Sequence, residues 1–441
     1  MAMSYSVKNI LRMEIAPALG CTEPSAIAFG AAAAASILGD EDITSIKVWV
    51  DANIFKNSLA VSIPGTEGLR GLDMASALGA IGGDPKLKLQ VLEPVNDHVI
   101  SQAQKIIQSG MVEVNLLPDQ RGLSIRTLVS GIDNVAESTI KDSHDNIVSL
   151  KLNDEKILNH PLFFNKSGGD GQNELIEMES WLKELSLAKL YGLIDDLDME
   201  DLEFLKEGIQ YNLRLAEYGL KHGPGLGVGK TLDGLVKQEL MKKDMVLAAK
   251  ILTSSAADAR MAGVKMPAMS LAGSGNLGLT AILPIIAVKD YLECDERVVL
   301  EAVALSHIIT VFIKAHTGRL SALCGSSIAA GAGSAAGITH MLGGNLIHIA
   351  GAINNLIEDL AGIICDGAKA GCALKLSTAS GIAVQAALFA LQGVQVHATD
   401  GIIATSPEGT MQNIGILSTQ GMIETDRTIL QIMMEKQFSS I

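Results

Sequence analysis

Gly20-Cys-Thr-Glu-Pro-Ser-Ala-Ile-Ala-Phe-Gly-Ala-Ala-Ala-Ala-Ala-Ser-Ile-Leu38 decides how the first third of this chain is built. From residue 25 to 38 it offers almost no polar face, which predicts a helix buried on every side. Residues 5–38 as a whole read as helical, interrupted between Pro17 and Pro24 around Cys21. A helix covered all round needs apolar partners, and the following segments offer them. Residues 46–50, 59–63, 88–92, 112–116, 124–129 and 147–152 read as strands, several alternating apolar and polar side chains. Two helices, near 72–81 and 98–109, lie between them.

Past residue 173 the strand signal fades. Residues 174–193 and 198–221 show amphipathic helical spacing with acidic first turns. Beyond Lys230 the chain is a series of Ala/Gly-rich helices separated by Gly-containing turns. The expected fold class is therefore α+β. An N-terminal α/β sheet domain over 1–165 carries the Gly-Cys-Thr-Glu-Pro segment, and a largely α-helical domain over 174–441 follows a polar linker at 165–173. No period of 20–50 residues indicates a solenoid.

Hydrophobic residues make up 48 % and charged residues 19 % of the 441, a globular composition with enough chain for a large core. A net charge of −15 opposes nucleic acid and anionic membranes as partners and suits an enzyme of small molecules. Aromatic residues are only 3 % against 44 glycines, so close backbone packing between helices is expected. The mean hydropathy of +0.30 raises the question of a membrane. The apolar stretches 279–288 and 382–394 are too short or too interrupted to span one and read as core helices. The N-terminus has no basic-then-apolar leader pattern. Five cysteines without disulfide-rich spacing fit reduced thiols in the cytoplasm.

Three of those cysteines sit in small-residue turns: Cys324 in Leu-Cys-Gly-Ser-Ser, then Cys365 and Cys372 in Cys-Asp-Gly-Ala-Lys-Ala-Gly-Cys. On one continuous helix, 365 and 372 would lie roughly 10 Å apart along the axis. Gly367 and Gly371 let the chain leave helical geometry and bring the pair together. Thiolate is the usual iron–sulfur ligand, and three thiolates on a four-iron cube leave one iron open as a Lewis acid. The competing readings are a small buried hydrophobe and a zinc ligand completed by His307, His316 or His340. Cys294, among charges, reads as a bystander.

Gly273-Ser-Gly-Asn-Leu-Gly278 has the letters of a dinucleotide fingerprint, yet the sequence shows neither a strand before it nor a βαβ unit around it. It suits a tight turn opening a helix whose free N–H groups can hold a carboxylate. Residues 224–231 resemble a P-loop, but Pro224 stands where the first glycine belongs, which excludes ATP. Lys230 remains as a countercharge or a solvent-facing lysine. Cys21 precedes a helix, where a thiol can be activated, and Thr22 or Glu23 can equally serve as a simple cap. His307 and His316 read as candidate bases or as hydrogen-bonded core residues.

These pieces together, Gly-Cys-Thr-Glu-Pro at 20–24, Ala-Gly-Ser-Gly-Asn at 272–276, Cys-Gly-Ser-Ser at 324–327 and the Cys365/Cys372 pair, resemble the L-cysteine desulfidase family, related to the iron–sulfur L-serine dehydratases. The resemblance runs over nearly the whole length. It implies conversion of L-cysteine to sulfide, ammonia and pyruvate, with a 4Fe-4S cluster held by Cys324, Cys365 and Cys372. It implies Cys21 at the active site, as base or displaceable ligand, with His316 in reserve. Asn276 stands where serine dehydratases carry a ligand cysteine, and the chain ends in Ser-Ser-Ile441 instead of a cysteine. Both departures favour the desulfidase branch. The substrate carboxylate is expected on the turn formed by Ser274, Gly275 and Asn276, aided by Thr22, Ser25 or Lys230. The partners expected are a small amino acid and a second copy of the chain, with no nucleic acid and no membrane. The alternatives are an L-serine deaminase, a pyridoxal phosphate enzyme using Lys230, and a non-catalytic iron–sulfur or zinc sensor.

Overall fold

The computed structural model describes residues 5–117, 120, 122–163 and 171–438; residues 164–170, which hold most of the expected linker, lie outside them. Helix α1 (Val7–Glu14) is capped by Ser6 and passes into strand β1 (Ile15–Leu19), after which α2 (Thr22–Leu38) begins. The interruption around Cys21 is thus a strand and a turn, where the sequence suggested only a broken helix. β1 pairs antiparallel with β8 (Pro267–Leu271), Ile15 opposite Leu271 and Leu19 opposite Pro267. Neither strand has a sequence signature of its own. Each is five residues long and exists because the other is there.

A sheet follows, built from β2 (Ser45–Asp51), β3 (Val112–Leu117), β4 (Ser124–Ser130), β5 (Val135–Lys141), β6 (Ile147–Leu152) and β7 (Glu155–Lys156), in the order β3-β2-β4-β5-β6-β7. Only β2 and β3 run parallel. Helices α3 (Ala52–Ser58), α4 (Leu72–Gly82) and α5 (Asp97–Gln108) complete this half. One face of α2 lies on β4 and β5, where the Ser138 hydroxyl donates to the Gly30 carbonyl (2.6 Å). Its other face meets α4. At Gly79 a Cβ would stand 2.2 Å from the Ala28 carbonyl oxygen, so only glycine permits that approach. Gly79→Val should lower stability by about 1–3 kcal/mol through overpacking, read as a lower denaturant midpoint at unchanged slope.

Two expected strands are absent. Residues 59–63 form a coil, buried from 61 on, whose Ile63 N–H donates to the Leu69 carbonyl, with Val61 in a cluster with Cys21. Residues 88–90 belong instead to a 3-10 turn over Pro85–Gln90, set up by the Asp84 side chain and Pro85, and 91–92 continue as a turn. Alternation without a free sheet edge does not make a strand.

The second half comprises α6 (Gly171–Lys183), α7 (Leu187–Gly192), α8 (Met199–His222), α9 (Val228–Lys237), α10 (Met245–Met261), α11 (Gly275–Lys289), α12 (Glu296–Thr317), α13 (Gly325–Met341), α14 (Leu346–Leu360), α15 (Cys372–Leu391), α16 (Pro407–Ile416) and α17 (Ile423–Phe438). The single helix expected over 174–193 is divided, because Ser186 caps a fresh start at α7. Helices α10–α15 form one core, and Val7, Ile10, Leu11 and Ile15 join it. The first helix therefore buries its apolar side among helices, not under the sheet. Helices α12 and α15 are long and apolar enough to cross a membrane, but 83 % and 56 % of those stretches are buried inside the protein. For α12, longer than the apolar stretches singled out from sequence, that burial accounts for the all-round apolarity.

Candidate active site

Two loops carrying cysteine are held side by side. Leu323 and Ile364 form an antiparallel bridge, the Cys324 N–H donates to the Ile363 carbonyl (3.0 Å), and the Cys365 N–H donates to the Ala322 carbonyl (2.6 Å). The chain from 365 to 371 is not helical, and α15 begins at Cys372. Gly367 has φ +90°, and a Cβ there would lie 2.4 Å from the Lys56 carbonyl oxygen, so both conformation and space require glycine. Cys372 packs with Cys21, Val61, Met261 and Ala368. One region thus gathers Cys21, Cys324, Cys365 and Cys372, all free thiols.

Their mutual electrostatics bear this out. Burial, then the neighbouring Cys365, pushes the Cys324 thiol up. Burial pushes Cys372 up to about 11, with Cys324 and Cys365 adding to the rise and Lys369 opposing it. Lys314 is buried beside them: burial and Arg319 hold its ammonium down at about 8, while Cys365 and Cys324 favour its charge. Lys375 donates to the Ile364 carbonyl (2.7 Å) and to Asp366. Thiolates packed together repel unless positive charge stands between them. Among the described residues no three His, Cys, Asp or Glu side chains close on a single ion. A soft, all-sulfur donor set is the chemistry of an iron–sulfur cluster, which takes each thiolate on its own iron.

Helix capping points the same way. Helices α1, α3, α5, α7, α8, α10, α12, α14 and α16 are each capped by a Ser, Asp or Asn side chain. The helices that start here are not: α2 begins after Cys21, α11 after Ser274, α13 after Cys324 and α15 after Gly371, and none of these residues makes a side-chain cap bond; α4 and α9, which follow Gly71 and Gly227, lack one as well. α2, α11 and α13 leave N–H groups and the positive end of a helix dipole at their starts, which favours anions, whereas the first N–H groups of α15 are taken up by the carbonyls of Lys369, Ala370 and Gly371.

Beside the thiols, Cys21 donates to Glu23 Oε2 (2.9 Å), and the Thr22 hydroxyl donates to the same oxygen (3.1 Å). The activation expected of a thiol at a helix N-terminus is reversed. Burial, then the Glu23 carboxylate, pushes Cys21 well above the ordinary thiol range, with Arg260 pulling the other way. His144, on the turn between β5 and β6, brings Nε2 to 3.9 Å from Glu23 Oε1, and burial lowers its pKa. Arg260, at the end of α10, lies over Gly275 and donates through Nη1 to Asn276 Oδ1 (2.9 Å). Asn276 in turn contacts Met261 Sδ (3.7 Å).

Other residues singled out from the sequence stand apart. The Ser25 hydroxyl donates back to the Leu19 and Cys21 carbonyls (both 3.0 Å). Lys230 is exposed and donates to the Lys221 carbonyl (3.1 Å), finishing α8. His316 stacks edge-on against Phe312 and abuts Gly415, its pKa lowered to about 4 by burial and Lys183. His307 is buried in the helical core with its pKa lowered to about 3, and His340 meets Tyr191 (3.1 Å). Cys294 lies on the turn before α12. A strand, β8, does precede the 273–278 turn, contrary to expectation; it pairs with β1 in a two-stranded sheet, so no βαβ unit forms. Glu23 as a partner of the Cys21 thiol, His144 and Arg260 were not foreseen. For Arg260 the one signal is charge inside a small-residue run, Ser-Ser-Ala-Ala-Asp-Ala-Arg-Met at 254–261; His144, in the polar run Lys-Asp-Ser-His-Asp-Asn at 141–146, carries none.

An open cleft of about 1960 Å³ runs alongside; His144, Gly273, Arg319 and Ala322 are in its lining, and none of the four thiols is. Arg319 is anchored there by Glu14 (2.9 Å) and Glu179 (3.1 Å).

Residues 86–431 match the model of a family described as the serine dehydratase alpha chain. A protein of Desulfatibacillum aliphaticivorans designated UPF0597 is 61 % identical over 438 residues, 99 % of this chain and 100 % of that one. UPF0597 proteins of Clostridioides difficile and Geobacter sulfurreducens are 41 % and 38 % identical, covering 96 % and 97 % of this chain and 98 % of each of theirs.

Proposed function

We propose a function from one premise: the chain belongs to the serine dehydratase alpha-chain family. At family level this is an iron–sulfur-dependent lyase. Our reading of this member is β-elimination of L-cysteine to sulfide, ammonia and pyruvate. The observation that carries it is the gathering of Cys324, Cys365 and Cys372 beside Cys21 at uncapped helix N-termini. Cys324, Cys365 and Cys372 would hold a 4Fe-4S cluster, which when bound supplies a Lewis acid for the departing β-substituent.

The chain's own residues account for the rest. The Cα–H of an amino acid is very weakly acidic, so its removal needs a strong, positioned base. Cys21 rests as the thiol; once its own proton has passed to Glu23 Oε2, the thiolate, with its raised proton affinity, takes the Cα proton on Sγ. The C–H electron pair becomes the Cα–Cβ double bond as the Cβ–S bond breaks and sulfide leaves with its electron pair. The aminoacrylate released tautomerises to an imine, which water hydrolyses to pyruvate and ammonia. Glu23 Oε2, already bonded to Sγ, orients the thiol and can receive the proton. The α11 N-terminus at Ser274, Gly275 and Asn276 offers N–H groups to the substrate carboxylate. His316 and Lys230 take no part in this reading, since neither contacts these groups.

L-Serine is the second reading, favoured by the family description. Anaerobic reconstitution followed by separate assays of sulfide and pyruvate decides between them. Equal sulfide and pyruvate from L-cysteine, at a higher kcat/KM than pyruvate from L-serine, is expected; the reverse order assigns a dehydratase, and no product from either removes the lyase reading. Loading should also raise the melting temperature, because a group bound only by the folded chain stabilises it, by about 2.7 kcal/mol at 100 times its Kd.

A further inference from the structure

Arg260 is 2 % exposed, yet two of its guanidinium nitrogens, Nε and Nη2, have no hydrogen-bond partner in the protein. A buried cation with unmet donors is costly and calls for an explanation. Its third nitrogen, Nη1, is fixed by Asn276 Oδ1 (2.9 Å), which sets the plane of the group. The guanidinium lies against Gly275, where a Cβ would come 2.3 Å from Nε and 3.0 Å from Nη2. Gly275 is also the first residue of α11, whose N-cap Ser274 makes no side-chain bond. Two unmet N–H groups on the same edge of a guanidinium and an uncapped helix N-terminus therefore meet at one place. The Nε/Nη2 edge is a fork that matches the two oxygens of a carboxylate.

We propose that Arg260 is the carboxylate-binding residue of the site, taking the α-carboxylate of an amino acid on Nε and Nη2 beside the α11 N-terminus. Its charge acts on the Cys21 thiol, so a ligand held there lies next to the group assigned as base. Asn276, which stands where related dehydratases carry a cysteine, acquires a role: it holds the fork in plane. Gly275 provides the space above it.

The inference rests on the lyase reading for its substrate but not for its test. L-Alanine has the amino acid head and no leaving group, so it binds without turning over. Its dissociation constant is measured calorimetrically on the anaerobically reconstituted protein, beside ethylamine, which lacks only the carboxylate. Wild type should bind L-alanine and discriminate strongly against ethylamine. Arg260→Gln should weaken L-alanine by about 10–100-fold, the loss typical of hydrogen bonds to charged groups, and the discrimination should collapse. Arg260→Lys keeps the charge and the stem and loses the fork; it should fall between the two, and it decides the matter should Arg260→Gln not fold. Gly275→Ala, which drives a methyl into the guanidinium, should weaken L-alanine without altering ethylamine. With L-cysteine, KM should rise more than kcat falls. Variants that keep wild-type affinity and discrimination, or a wild type that binds both ligands alike, overturn the assignment. Lost L-alanine binding in a protein that forms no sulfide or pyruvate would keep Arg260 and discard the lyase. Unchanged kcat/KM in an active variant would do the opposite.

Discussion

Cys365→Ser and Cys372→Ser proteins, reconstituted anaerobically, should lose visible cluster absorption and turnover together. The two positions occupy different parts of the loop. Cys365 is tied to the Ala322 carbonyl, and Cys372 starts α15 against Cys21 and Ala368. A serine hydroxyl is a hard, weakly acidic donor and replaces a soft thiolate poorly. Removing a group that only hydrogen-bonds to a metal ligand typically costs about 10–100-fold, so losing a ligand should cost more. Cys294→Ser is the control, because that thiol lies on the turn before α12, outside the cluster of Cys21 and Cys372. A Cys372→Ser protein with full iron content and full rate would remove the cluster from this position.

Cys21→Ser should separate what those variants lose together. Turnover should drop by about 10²–10⁴-fold, the usual worth of a positioned base, while the absorption spectrum is kept. The serine fits: Cys21 is buried, its hydrogen bond to Glu23 is one a hydroxyl can also make, and the volume change is small. A serine hydroxyl in that place is far too poor a base to remove an α-proton. Parallel loss of absorption would instead make Cys21 a ligand that substrate displaces. Glu23→Gln offers an independent reading of the same pair. Removing the carboxylate removes one of the causes that raise the Cys21 pKa, but also the group that takes the thiol's proton, so turnover should fall while the absorption spectrum is kept.

Much of this was legible in the chain. The all-round apolarity of α2 foretold its burial, which the sheet and α4 supply, and the alternation at 46–50, 112–116, 124–129 and 147–152 matched strands. What escaped depends on partners remote in sequence. β1 and β8 are strands only by pairing with each other, β5 is a strand whose alternation is spoiled by buried Glu137 and Ser138, and 59–63 alternates but finds no edge. The cysteines could be found because thiols in Gly-bracketed turns have few other uses. Arg260 and His144 could not, because a single charged residue in a helix or a turn is ordinarily a solvent-facing one. Only burial distinguishes them, and burial is a property of the folded chain.

The pairing of β1 with β8 sets the order in which this centre can come into being. Leu19 opposite Pro267 fixes the strand that runs directly into Gly20 and Cys21, and it belongs to a segment made long after the sheet has its sequence complete. A nascent chain could assemble the sheet early, but Cys21 would have to wait for β8, then Cys324, Cys365 and Cys372. Contacts of that separation are the slow ones in folding. Iron offered to a growing polypeptide meets isolated thiols; only a finished one presents the set.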